Sequence, residues 1–365
     1  MNILFIGKRF YTNRDAVLER YGRIFQLPFH WAKSGLTVKA WLIDYHSKSN
    51  ITFQEGGLDL DSTPIRTSSF WRRVGREFSI KKNSATPNII VASGDAYIGL
   101  LGYLLARRLG AKFVFDVYDK YDEFSGYRQF ANWDTFSFLL RKADLCFFAS
   151  QLLKADLGRL CLQSQVLPNG VDTDLFKPLD MSVSRAALGL DRASTFVGYF
   201  GSMEPDRGVD DLIEAIHLLR KDGMQVELLL AGKKRADLDV LKDGIQYLGN
   251  ISYNKMPIAI ASCDAVAVPY RRSTFMDSGA SNKIAEALFT GRPLIATETP
   301  NFLTNFPVQA ETLSNSIALC SDPPSLSRII ARQLRHPIKA TAPSDFAWDK
   351  ISSQGARSIE KLLRN

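Results

Sequence analysis

Cysteine and histidine are scarce in this 365-residue chain, which has four of each: Cys146, Cys161, Cys263 and Cys320, and His30, His46, His217 and His336. They are scattered and form no CxxC pair, so neither a zinc site nor a disulfide framework is expected. Long apolar runs are lacking too, and no stretch reaches membrane-spanning length. Met1-Asn-Ile-Leu-Phe-Ile-Gly7 runs straight into strand-like sequence without a cleavage site, so a cytoplasmic protein is expected. Glycine is sparse where a dinucleotide would need it. Phe5-Ile-Gly-Lys-Arg-Phe-Tyr11 and Gly198-Tyr-Phe-Gly-Ser202 both lack the GxGxxG spacing, which disfavours a nicotinamide or flavin enzyme.

Acidic residues are short in one part of the chain only. Residues 1 to 112 hold 17 Lys+Arg against 8 Asp+Glu, a balance of +9, and the remainder stands at −1. Trp71-Arg-Arg-Val-Gly-Arg76 and Lys81-Lys82, interleaved with Phe70, Trp71 and Phe78, suit an anionic membrane surface or an acidic acceptor. A solvated basic face gives the same composition, and no helix-turn-helix, zinc-finger or RNA-recognition signature accompanies the charge to support nucleic acid.

The length exceeds what one core usually fills, so two domains are expected. In the first, strands at Ile3 to Gly7, Val38 to Asp44, Asn88 to Ser93, Lys112 to Val117, Leu145 to Ala149 and Ser164 to Leu167 alternate with helical patterns. Phe113-Val-Phe and Cys146-Phe-Phe are apolar on both faces, as a parallel sheet covered by helices requires. The alternation then repeats from Thr195 to Leu334, with Asp180 to Arg192 as linker and first helix of the second unit. The expected fold is α/β, with two doubly wound Rossmann-like domains, residues 1–178 and 179–345. Ligand crevices belong at the carboxyl ends of their strands. The tail 346–365 reads as an amphipathic helix burying Trp348, Ile351, Ile359 and Leu362.

Three stretches carry candidate chemistry. Asp116-Val-Tyr-Asp-Lys-Tyr-Asp-Glu-Phe124 puts carboxylates at a strand end. Asp119 suits a general base or a sugar-hydroxyl acceptor, and loop solubility is its bland reading. A divalent-metal site is disfavoured, because the carboxylate pairs are spaced three apart and no further ligand lies nearby in sequence. In Gly201-Ser-Met-Glu-Pro-Asp-Arg-Gly208, Arg207 is a bidentate donor just before a helix. Third, the small-residue loop Ser278, Gly279, Ala280 feeds a helix capped by Ser281, with backbone N–H groups at Ser281, Asn282 and Lys283 open to a phosphate. Glu286, one turn on, is either a functional carboxylate or half of a surface ion pair with Lys283.

Taken together, "LPNGVDTDLFKP", "FGSMEPDRGVDDLIEA", "LGNISYNKMPIAIASCDAVAVPY", "SNKIAEALFTGRPLIAT" and "SDFAWDKI" resemble the family-4 glycosyltransferases of GT-B fold. The resemblance implies that Glu286 binds the donor ribose and that Arg207 meets the donor diphosphate. The helix start at Ser281 to Lys283 would take the distal phosphate. Gly22 and Arg23 correspond to the family's glycine loop at the reacting centre, and the tail helix would cross back to the first domain. The chain departs from the family pattern at Ser278 and Ser202, which replace a glutamate and an arginine. The Asp116 to Asp119 run resembles a branch of bacterial polysaccharide transferases.

The expected activity is transfer of a sugar from a nucleoside-diphosphate sugar to a glycan or lipid-linked acceptor in surface polysaccharide assembly, in the cleft between domains. No cofactor or metal is called for. The expected location is cytoplasmic, with the anionic inner face of the plasma membrane as candidate surface. The alternatives are a catalytically silent binding subunit and a sugar-nucleotide epimerase.

Overall fold

The computed structural model describes every residue except 12–13, 48, 124–126, 128–133, 280 and 365, and gives no side-chain environment for 11, 123 and 275. The chain divides into two compact units, Met1–Gly170 with Trp348–Asn365, and Val171–Ala347.

The strands of the first unit are β1 (Asn2–Lys8), β2 (Phe10–Tyr11), β3 (Arg14–Asp15), β4 (Thr37–Asp44), β5 (Ile51–Glu55), β6 (Leu58–Pro64), β7 (Ile89–Ser93), β8 (Lys112–Val117), β9 (Leu145–Phe148) and β10 (Ser164–Val166). Its helices are α1 (Gly22–Lys33), α2 (Ser68–Ser79), α3 (Ala96–Leu109), α4 (Thr135–Lys142) and α5 (Gln151–Leu157). The main sheet runs β10-β9-β8-β7-β1-β4-β6-β5, and β2 and β3 form a separate small ribbon. Strand order reverses between β1 and β7, the doubly wound switch point. All pairs in the main sheet are parallel except β5 with β6. That hairpin lies in a stretch to which the sequence reading assigned no element, and α2 carries the basic cluster Trp71 to Arg76.

The second unit carries α6 (Met181–Leu188), β11 (Phe196–Phe200), α7 (Val209–Lys221), β12 (Glu227–Ala231), β13 (Ile245–Tyr247), α8 (Met256–Ala261), β14 (Ala265–Val268) and α9 (Thr274–Ser278). It continues with α10 (Asn282–Phe289), β15 (Leu294–Thr297), α11 (Pro300–Asn305), α12 (Pro307–Thr312), β16 (Ile317–Ala318) and α13 (Pro323–Arg335). Its parallel sheet is ordered β13-β12-β11-β14-β15-β16, and the order reverses between β11 and β14. Asp180 caps α6 by accepting from the Val183 N–H at 2.8 Å.

Residues 171–178 go with the second unit rather than the first. Val171 forms a parallel bridge to Ala347 and donates its N–H to the Phe346 carbonyl at 2.7 Å, and the Phe176 ring packs at a tilt against Tyr253. The last helix, α14 (Trp348–Arg364), joins the core of the first unit. Trp348, Ile351, Ile359 and Leu362 are buried, and the Trp31 indole N–H donates to the Ser352 carbonyl at 2.8 Å. A buried bond of that kind contributes about 1 kcal/mol and fixes how the tail lies on α1.

Candidate functional site

In the second unit the loops leaving β11 and β14 flank the switch point, where an open α/β sheet holds its ligand. The first loop delivers Arg207 and the second delivers Tyr270. The Arg207 guanidinium lies 5.4 Å from the centre of the Tyr270 ring, and its Nη1 is 2.6 Å from the Met276 sulfur. The Tyr270 hydroxyl is 3.1 Å from Ser281 Oγ.

Gly201 makes room for the side chain of Lys283: at φ 149°, a Cβ there would stand 1.9 Å from Lys283 Cε. The lysine stem therefore lies along the Gly201 backbone. Burial pushes the Tyr270 phenol up, but the Lys283 and Arg207 cations, with the hydrogen bond from Ser281, outweigh it and leave the phenol below its usual value. Tyr199, deeply buried beside it, moves the other way through desolvation and the neighbouring Tyr270.

Helix α10 brings the rest of the stretch. Ser281 occupies the N-cap position, but its hydroxyl goes to Tyr270 and makes no cap bond, contrary to the expected capping role. The Ser281 N–H is taken by Asn301 Oδ1 at 3.1 Å. The next N–H groups, on Asn282 and Lys283, receive no side-chain cap, so the positive helix end stays presented. The buried Oδ1 of Asn282 has no hydrogen-bond partner among the described residues.

Glu286 is only 7% exposed and accepts from the Tyr253 hydroxyl at 3.2 Å, which removes the reading of a solvated surface pair with Lys283. Ser278 sits at the end of α9 and donates to the Thr274 carbonyl at 2.6 Å, while the Gly279 carbonyl accepts from Asn305 at 3.1 Å. Ser202 gives its carbonyl to the Tyr199 hydroxyl at 2.6 Å. Ala280 lies outside the described residues.

The first unit corrects two expectations. Arg23 and Asp116 were candidate reacting-centre residues, yet neither side chain has exposed surface. Arg23 Nε and Nη2 donate to the two Asp116 oxygens at 2.7 and 2.5 Å, Nη1 donates to the Leu167 and Pro168 carbonyls, and Ser93 Oγ donates to Asp116. A pair so fully used cannot touch an acceptor or a metal. It ties α1, β7, β8 and the end of the first unit together. Gly22 is buried and opens α1 at φ 68°. Asp119 is partly exposed at the end of β8, beyond the buried Asp116, so the two do not act as a carboxylate pair.

The basic stretch is split likewise. Phe70 is buried against Trp41, and Arg73 pairs with Asp61 and Glu77. Trp71, at 68% exposure, faces out with Arg72 and Arg76.

Residues 194–335 match the family model described as glycosyl transferases group 1, a span that includes Arg207, Tyr270, Lys283 and Glu286. Across that span the chain is similar to the group 1 glycosyltransferases. The chain is 26% identical to the lipopolysaccharide core biosynthesis mannosyltransferase LpsB of Rhizobium meliloti, over 65% of its own length and 70% of that protein's. It is 27% identical to a GDP-mannose-dependent phosphatidylinositol monomannoside mannosyltransferase of Corynebacterium glutamicum, over 48% of each chain.

In fold the chain resembles the sucrose-phosphate synthase of Thermosynechococcus elongatus, with a TM-score of 0.74 at 16% identity over 100% of both chains. It also resembles Anabaena HepE solved with UDP and glucose, with a TM-score of 0.73 at 17% identity, covering 99% of this chain and 100% of that one. Both sheets thus belong to the GT-B fold. Sequence reasoning missed Tyr270, Tyr253 and Asn301. For Tyr270 the signal was present in Val268-Pro-Tyr270, an aromatic directly after a central strand.

Proposed function

We propose that this protein is a glycosyltransferase that moves a hexosyl group from a nucleoside-diphosphate sugar to a glycan or glycolipid acceptor in surface polysaccharide assembly. The observation that carries this reading is Glu286: a buried carboxylate one turn inside a helix whose uncapped start stands beside Arg207 and Lys283. Two ribose hydroxyls donating to Glu286 would leave the diphosphate against the N–H groups of Asn282 and Lys283, with Arg207 and the Lys283 ammonium alongside. As the bond from sugar to phosphate breaks, negative charge builds on the leaving diphosphate, and these fixed donors stabilise it. The unpartnered Asn282 Oδ1 offers an acceptor for a donor-sugar hydroxyl or a ribose hydroxyl.

In this scheme protein cations neutralise the diphosphate without a divalent ion. Asp119 is the proposed base or hydroxyl acceptor on the acceptor side, and the face of α2 bearing Trp71, Arg72 and Arg76 is the proposed contact with anionic membrane. The LpsB and phosphatidylinositol monomannoside relatives are named for mannosyl transfer, which puts GDP-mannose first among candidate donors.

The test is a thermal-shift panel of GDP, UDP, ADP, CMP and dTDP, followed by release of free sugar from the matching donor. One diphosphate raising the melting temperature well above the rest, with slow donor hydrolysis, supports the reading. Stabilisation without hydrolysis points to a silent subunit, and no stabilisation by any nucleotide overturns the donor site.

A further inference from the structure

We propose that the groove between α2 and the β5–β6 hairpin, wholly within the first unit, binds a phosphate monoester through the guanidinium groups of Arg72 and Arg76. The groove is a cavity of about 390 Å³, within the size range of small-molecule sites. Ser69, Arg72, Arg73 and Arg76 line one wall, and their spacing of three and four puts them on one face of α2. The hairpin supplies the other wall, where Thr52 stands opposite Asp61.

Three arginines thus face one carboxylate, and that carboxylate is already engaged. Arg73 Nη1 donates to Asp61 Oδ2 at 2.7 Å, and the Thr52 hydroxyl donates to Oδ1 at 3.2 Å. Arg73 Nε lies 2.8 Å from Glu77, and the guanidinium stands 5.5 Å from the centre of the Trp41 ring. Arg73 is therefore the fixed, structural cation of the wall. Arg72 and Arg76 are exposed and remain for a ligand. Arg72 has no ion pair among the described residues and makes only 3.4 Å contacts with Ser68, while Arg76 Nε stands 3.8 Å from a Glu77 oxygen that Arg73 holds more closely. Asn50 accepts from the Ser69 hydroxyl at 3.1 Å through its Oδ1, which leaves its NH2 group as a neutral donor at the same groove.

Charge decides the class of ligand. A phosphate monoester is close to doubly negative at neutral pH and carries three terminal oxygens, which suits two guanidinium groups that each donate a planar pair of N–H groups. A phosphodiester has one charge and two terminal oxygens, enough for one arginine only. The monoester has two sources, the headgroup of phosphatidic acid in a bilayer and a soluble glycerol or sugar phosphate. General attraction of basic residues to an anionic bilayer, by contrast, follows surface charge and is indifferent to the headgroup.

The experiment titrates glycerol 3-phosphate and dimethyl phosphate calorimetrically into the full chain, its Arg72→Gln/Arg76→Gln double variant and Glu286→Gln. Alongside, the parent and the double variant are co-sedimented with vesicles of phosphatidic acid or phosphatidylglycerol matched in surface charge. Both arginines are exposed, so the double variant should fold, as circular dichroism checks, and the two single variants replace it if it does not. The expected result is that the parent binds glycerol 3-phosphate at least about tenfold more tightly than dimethyl phosphate, and that the double variant loses about tenfold or more of that affinity while Glu286→Gln keeps it. A preference for phosphatidic acid that the double variant loses identifies the lipid headgroup as the source, and soluble binding without that preference identifies a soluble ester; either supports the groove. Monoester affinity or phosphatidic acid preference equal in parent and double variant overturns the proposal, as does the absence of both in the parent. Binding lost in Glu286→Gln and kept in the double variant places the phosphate in the second unit and overturns it too, with the donor-site reading left standing.

Discussion

Arg23 and Asp116, 93 positions apart in sequence, meet as a two-pronged ion pair with no exposed surface on either side chain. Removing one partner would leave the other charge buried and alone, at a cost of about 3–5 kcal/mol. Arg23→Ala should therefore lower the unfolding midpoint of the first unit sharply while leaving nucleotide affinity intact wherever the protein stays folded. Denaturant unfolding followed by tryptophan fluorescence checks this. A stable Arg23→Ala variant with lost turnover would instead restore Arg23 to the reacting centre.

The loop that carries Arg207 closes at Gly208, at φ 67°, where a Cβ would stand 1.8 Å from the Pro269 carbonyl oxygen. That obstacle is backbone and cannot move aside cheaply, and Ser321 Oγ stands 2.5 Å from the same point. Gly208→Ala should destabilise the second unit and weaken nucleotide binding. Gly223→Ala is the control: φ is 87° there, but nothing lies within 4 Å, and the cost should stay near 1 kcal/mol with binding unchanged. Thermal melts of the two variants should separate clearly, and equal melting temperatures would refute the close approach at Gly208.

How much of this was readable in the sequence depended on whether a residue's role is set locally. Strands such as Phe113–Phe115 and Cys146–Phe148 are apolar on both faces and announce a covered parallel sheet, and Trp348, Ile351, Ile359 and Leu362 repeat at helical spacing. The β5–β6 hairpin was missed although Gly56-Gly57, both with positive φ, links two alternating runs, which is a hairpin signal in its own right. Arg23 and Asp116 were misjudged because burial of a charge depends on a partner far along the chain. Tyr270 was passed over because an aromatic at a strand end looks like core until Arg207 and Ser281 are seen on it.

Membrane docking is testable on the outward face of α2. Trp71→Ala with Arg76→Glu should reduce co-sedimentation with vesicles rich in phosphatidylglycerol, and binding of the parent should weaken between low and high salt. Binding equally strong to neutral vesicles, or no binding at low salt, would sink the proposed surface.

Asp119 differs from Asp116 in being partly open to solvent. If it serves as a general base, Asp119→Asn should cut turnover at least about a hundredfold with nucleotide affinity little changed. Steady-state kinetics with the donor found by the nucleotide panel would decide, and near-normal turnover would return Asp119 to ordinary loop charge.

The donor-site account rests most heavily on the buried Glu286 carboxylate, and calorimetric titration of Glu286→Gln with the preferred nucleoside diphosphate tests it most directly. Glutamine keeps the size of the side chain and can still accept from Tyr253 at 3.2 Å, so the fold should survive, as circular dichroism would verify. The account predicts binding weaker by about 1.5–3 kcal/mol, the range for hydrogen bonds to a charged acceptor. Affinity equal to that of the parent would contradict it and remove the ribose assignment.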